Sequence, residues 1–246
     1  MIVNRVFGKV EKHSAKEWFE ANLKNSNVLS KVWTISADSR KPFSQEFILD
    51  THKAESLYLL FAESDIQVPP IVDIASAKKI DSMYYLSGTK IARMKNPSLN
   101  LTSAVDLFRN YNIEIVPRIY LKNVTAGNMF YYASEIRSLP ALETNASKLS
   151  SSPLWQAWGC PRRAQELKID ISPIHYPDGT SVKSWCLKWS VSFGNAHIDH
   201  DTAVYLINNL VGSGQTLILS AFTMDLLSAE EKAIATDKGW SLATYD

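Results

Sequence analysis

The apolar positions between residues 60 and 160 recur at a period far longer than that of a helix or a strand. An apolar pair ends at Phe61, Leu86, Phe108, Tyr131 and Trp155, in steps of 25, 22, 23 and 24 residues. The first member of each pair is Leu60, Tyr85, Leu107, Phe130 or Leu154, and the residue five places after the anchor is Ile66, Ile91, Ile113, Ile136 or Cys160. All of these columns are apolar in every copy. The position four places after the anchor (Asp65, Lys90, Asn112, Glu135, Gly159) never is. Proline stands nine places after the anchor in three copies, at Pro70, Pro117 and Pro140, while Lys95 and Ala164 break that column. Agreement across five copies makes this an internal repeat.

A unit of this length cannot bury its own apolar face, so the units are expected to stack and close their columns against one another. Each unit reads as a short turn of helix or 3₁₀ helix leading to the anchor pair, a tight turn, and a strand a few residues long. In "IEIV" at 113–116, period-two alternation predicts Ile113 and Ile115 facing inward and Glu114 outward. The following proline stops the strand, because it has no N–H to give to a ladder. The expected fold class is an α/β solenoid, a stack of short parallel strands and short helices capped at both ends.

The ends of the chain depart from the repeat. "HSAKEWFEANLKNSNVL" places Ser14 as N-cap and Glu17 at the capping-box position, with Trp18, Phe19 and Leu23 on one apolar side. Strand-like runs follow around Val32–Ile35 and Phe47–Leu49. Residues 1–53 are therefore expected to cap the stack or to dock it onto a partner, with Trp18 and Phe19 as candidate docking residues. At the other end, "QTLILSA" reads as a strand with Leu217 and Leu219 on one face. "LSAEEKAIATDKGW" reads as a helix with Ser228 as N-cap, Glu231 completing a capping box and Gly239 as its stop. Residues 201–246 are expected to close the last ladder. The repeat region spans 54–200, with 161–200 irregular.

Composition narrows the function classes. The chain has 246 residues, is 46% hydrophobic and 11% aromatic, and carries 26 basic against 25 acidic residues, for a net charge of +1. A folded protein is implied, and no basic surplus points to nucleic acid. Two cysteines, Cys160 and Cys186, give neither a disulfide framework nor metal-ligand spacing. The first twenty residues lack the apolar core of a secretory signal, and no apolar run approaches the length of a membrane span. The sequons at Asn100, Asn123 and Asn145 follow from the Asn and Thr content of the repeat.

Candidate chemistry is sparse. "HIDHD" at 197–201 contains metal-binding donor types, yet it stands before the apolar-periodic "TAVYLINNL", where Asp199 or Asp201 serves as a helix N-cap. "GSGQT" at 212–216 follows a helix and precedes a strand, the reverse of a phosphate-cradling loop, and so reads as a turn. No nucleophile motif occurs, and Glu63, Asp65, Glu135 and Glu143 fall in turns with nothing to pair them. The expectation is a non-enzyme without cofactor, metal or catalytic residues. Tryptophans concentrate in the C-terminal half beside "CPRR". Trp158, Arg162, Arg163, Trp185 and Trp189 are the candidate partner-binding residues, weighed against plain core filling.

"GNMFYYASEIRSLPALETNAS" at 127–147 resembles the leucine-rich repeats of the BspA type. Residues 201–246, with helix, Gly-rich turn, Thr-Leu-x-Leu strand, acidic-Lys-Ala-Ile-Ala helix and terminal Gly-Trp strand, resemble the closing segment of such arrays. The resemblance covers about residues 54–246, with aromatics and isoleucine where leucine is usual. It implies an interaction protein of the kind found in bacteriophage tails, baseplates, fibres and capsid decorations, and in bacterial surface adhesins. The first setting implies other virion proteins or a host-surface protein or glycan as partner, and a location in the virion. The alternative is an adhesion or protein-binding module at the bacterial surface. A metal-dependent enzyme using "HIDHD" is the remaining alternative. No nucleic-acid partner and no membrane insertion are expected.

Overall fold

The computed structural model describes residues 48–50, 54–58, 60–61, 71–74, 77–83, 92–95, 101–108, 113–121, 124–127, 129–130, 133, 135–145 and 165–245. The candidates Trp18, Phe19, Ile66, Leu86, Ile91, Tyr131, Trp155, Trp158, Cys160, Arg162 and Arg163 lie outside the described residues, as does most of 1–53.

Short strands come first: β1 Ile48–Asp50, β2 Ile71–Asp73, β3 Met94–Lys95, β4 Ser103–Val105, β5 Thr125–Gly127, β6 Ser138–Leu139 and β7 Lys168–Ile169. All pair in parallel with a strand about one repeat length away. Ile48 sits opposite Ile71, Val72 opposite Met94, and Ser103 opposite Thr125. Single bridges extend the pattern, from Ser56 to Lys79, from Lys79 to Ser103, and from Ile115 to Ser138. Two columns of parallel pairing result. One runs through residues 48, 71, 94, 115, 138 and 168, the other through 56, 79, 103 and 125.

One backbone device recurs along both columns. The Glu55 carbonyl accepts from the N–H groups of Lys78 and Lys79, Lys78 accepts from Thr102 and Ser103, and Glu114 accepts from Arg137 and Ser138. A carbonyl shared between successive N–H groups breaks the simple two-residue alternation of a strand. At "IEIV" the chain makes a single bridge, Ile115 to Ser138, in place of the expected strand, and the expected facing is not kept. Ile113 and Val116 are buried, whereas Ile115 is 45% exposed.

The interior is assembled from columns as well. Leu57, Ile80, Ala104 and Ala126 occupy equivalent places and are fully buried, as are Leu60, Phe61, Met83, Leu107 and Phe108. Each large side chain so placed removes surface worth about 1.5–3 kcal/mol from water. The Phe61 N–H donates to the Met83 carbonyl and the Phe108 N–H to that of Met129. Phe108 stacks on Phe130, with ring centroids 5.7 Å apart and planes 8° from parallel. Phe108 and Phe130 therefore share an aromatic column. The short helix expected before each anchor is a turn at 81–83 and at 106–108. Ser82 and Asp106, which begin the Met83 and Leu107 steps, take φ of 53° and 54°. That left-handed conformation is open mainly to small polar residues and glycine.

After a hairpin of β8 Ile174–His175 and β9 Ser181–Val182, turned at Gly179, the chain becomes more regular. β10 Val191–Ser192, β11 Thr216–Ser220 and β12 Ser241–Tyr245 form a parallel sheet in that order. Helices α1 His200–Asn208, α2 Ala221–Leu226 and α3 Ala229–Asp237 connect these strands. Among the described residues helices occur only here. Leu217 and Leu219 are buried as their alternation predicts. Ser228 and Glu231 form a reciprocal capping box, and Gly239 follows α3 with φ of 72°. No described helix is long and apolar enough to cross a membrane.

Candidate interaction surface

The "HIDHD" segment resolves into structural parts. Asp199 caps α1, its carboxylate accepting from the Thr202 N–H at 2.9 Å and the Thr202 hydroxyl at 2.8 Å. Burial pushes the Asp199 carboxyl up, but those two bonds outweigh it and hold its pKa below the ordinary value. His197 stacks on Phe222 at 4.2 Å. His200 faces Asp201 through Nδ1 at 3.2 Å and Glu231 through Nε2 at 3.0 Å. Both ring nitrogens are thus engaged by carboxylates. Bonds to Asp201 and then to Glu231 raise the His200 pKa above its ordinary value. Among the described residues no group of His, Cys, Asp and Glu side chains is arranged to hold a metal.

The tryptophans divide between core and rim. Trp185 is fully buried, and its indole N–H donates to the Pro140 carbonyl at 3.2 Å and the Asp170 carbonyl at 3.1 Å. It has no surface to offer, so its place among the partner-binding candidates is corrected to the core. The fold selects it because an indole fills the volume while its N–H satisfies carbonyls of two separate segments. Trp189 is half-buried, and the Lys188 ammonium lies 5.5 Å from the ring centroid. Trp240 is buried with its N–H on the Gly212 carbonyl, which ties the "GSG" turn to the start of β12. Of the other carboxylates, Glu143 accepts a hydrogen bond from the Tyr176 hydroxyl.

Charged side chains run across the steps of the ladder. Lys78 pairs with Glu55 at 3.0 Å and Arg118 with Asp170 at 3.1 Å. Burial pushes the Asp170 carboxyl up, yet bonds from Ser172 and Arg118 bring its pKa below the ordinary value. These exposed pairs tie segments of the ladder together, Arg118 and Asp170 lying two steps apart in their column, and add little stability. Compared with protein-family models, with curated proteins and with solved structures, the chain matches none. The surface itself is what remains to read.

Among the described residues, the large exposed apolar groups fall in two places. Tyr58 and Ile115 lie along the pairing columns, while Val211, Phe222, Leu226 and Tyr245 belong to the C-terminal part. Phe222 and Leu226 are four residues apart on α2, and α2 packs beside β12, which carries Tyr245. The sequence reading missed this cluster. Its signal was present in "AFTMDLL", whose apolar spacing exceeds what one buried helix face uses.

Proposed function

We propose that the chain is a non-enzymatic interaction scaffold, a leucine-rich-repeat-like solenoid of the BspA kind serving as a structural component of a bacteriophage virion. The observation that carries the reading is the pair of parallel columns, each stepping by about one repeat length through 48, 71 and 94 and through 56, 79, 103 and 125. Stacking of this kind produces an extended, rigid face suited to contact with another macromolecule. Both nitrogens of His200 face carboxylates and Asp199 caps α1, which supports a structural role for the donor-rich segment. The virion setting rests on the resemblance of residues 127–147 and 201–246 to repeat arrays and their closing segments.

The test is mass spectrometry of density-gradient-purified phage particles from a lysate of the source, with peptide intensities referred to the major capsid protein. A fixed stoichiometric fraction in particles is the expected result, and its copy ratio would distinguish ring, spike and decoration positions. Recovery in cell-surface fractions, with none in particles, would overturn the virion setting in favour of a bacterial surface module.

A further inference from the structure

The sheet of β10, β11 and β12 ends on β12, and among the described residues no strand lies against its outer edge. A strand in this position presents a row of unpaired backbone groups, which folded monomers usually blunt with charge, proline or a bulge. Residues 239–245, "GWSLATY", contain no charged side chain and no proline. The strand pairs with β11 without interruption, from Thr216 opposite Ser241 to Ser220 opposite Tyr245. It also follows α3, so a strand and not a helix is the last element of the described chain.

The direction of the open bonds follows from the register. The Ser241 N–H donates to the Gln215 carbonyl of the neighbouring segment. Alternation along a parallel pair then turns Ser241, Ala243 and Tyr245 toward β11, and the N–H and C=O groups of Leu242 and Thr244 outward. An antiparallel strand docking here has Leu242 and Thr244 in hydrogen-bonded pairs and Ala243 in a non-hydrogen-bonded pair. Non-hydrogen-bonded pairs bring the Cα atoms closest, to about 4.5 Å.

From this arrangement we infer that β12 is a self-association edge, pairing antiparallel with β12 of a second copy about a twofold axis at Ala243. The smallest side chain of the strand then stands where the two copies approach most closely. Leu242 meets the partner's Thr244 and exchanges both backbone bonds with it, and symmetry repeats the exchange. Ser241 lies opposite the partner's Tyr245, so no like charges oppose one another. A net charge of +1 leaves little long-range repulsion between copies. The exposed Phe222, Leu226 and Tyr245 add apolar surface beside the edge. A five-residue edge with this rim is smaller than a standard stable interface, so the association is expected to be weak and concentration-dependent.

Sedimentation velocity of the full chain from about 1 to about 300 µM tests the inference. The wild type should shift from monomer toward dimer over that range. Ala243→Lys and Ala243→Glu place like charges directly opposite each other at the twofold, and each should weaken the dimer by about tenfold or more. An equimolar mixture of the two should recover it as a heterodimer, a result that only pairing between copies at this position produces. Thr244→Pro removes an outward N–H while leaving the bonds to β11, and should also give monomer. Circular dichroism melts check folding, and Thr244→Pro carries the test if the charged variants unfold. A wild type that stays monomeric throughout would overturn the inference, even if β12 receives a strand from a different protein. So would folded variants that dimerise as well as wild type, or a mixture that stays monomeric.

Discussion

At the scale of single residues, His200 links two helices through charge. Its imidazolium lies between Asp201 and Glu231, and Glu231 is at the same time the acceptor that caps α3 through the Ser228 N–H at 2.8 Å. The His200 pKa is raised above 6.5, so its contribution to stability is complete below 6.5 and is lost as pH rises through the raised folded value. The Ser228 N–H, followed by His200, lowers the Glu231 pKa below 4.5, so that contribution is present above 4.5 and is lost on acidification. Both are present together between these limits. Thermal melts should show wild-type stability declining as the pH rises above 6.5, and His200→Gln should flatten that decline. A variant with an unchanged alkaline slope would show that the pair does not couple to folding.

Trp185 acts through its N–H as much as through its ring. Trp185→Phe keeps most of the apolar volume but leaves the Pro140 and Asp170 carbonyls without that donor. A loss of about 1–3 kcal/mol is expected, read from the urea midpoint at unchanged m-value. The sequence showed the cluster of tryptophans but not their division, because burial of an indole depends on contacts more than ten residues away. Asp199 was legible as one of two candidate caps, since capping is a local interaction. Choosing it over Asp201 required knowing where α1 begins.

Among the elements, the most local features were the most legible. The capping box of α3, the stop at Gly239 and the facing of Leu217 and Leu219 were all present in the sequence, for each is decided within a few neighbouring residues. Ser228→Ala should cost about 0.5–2 kcal/mol, and a melting temperature equal to wild type would show that α3 is held by packing instead. The repeat units were harder. Their period was visible, but the stacking of Phe108 on Phe130 was not, because Phe130 and Tyr131 are both apolar enough to fill a column. The column of Leu57, Ile80, Ala104 and Ala126 went unseen, since two of its members are alanines, which carry little hydrophobic signal. At Ile115 a single bridge to Ser138 stands where a strand was expected, so side-chain alternation had no ladder to follow.

At the scale of the molecule, hydrogen bonds in the first part of the chain run mainly between segments about one repeat length apart. A defect should therefore spread to the adjoining units before it reaches distant ones. Phe108→Ala removes a buried ring stacked on Phe130, at an expected cost of about 3–5 kcal/mol. Hydrogen exchange should show protection lost first around 77–83 and 124–130, while residues 191–245 keep theirs. Simultaneous loss across the whole chain would mean that the units and the C-terminal sheet unfold as one.

The steps between paired strands are not uniform. Ser103 and Thr125 are 22 residues apart, but Ser138 and Lys168 are separated by 30, and their strands still lie in register. Ladder geometry fixes where each strand lands and leaves the length of the intervening path open. A change in the length of a connection therefore need not shift the register of the strands it joins.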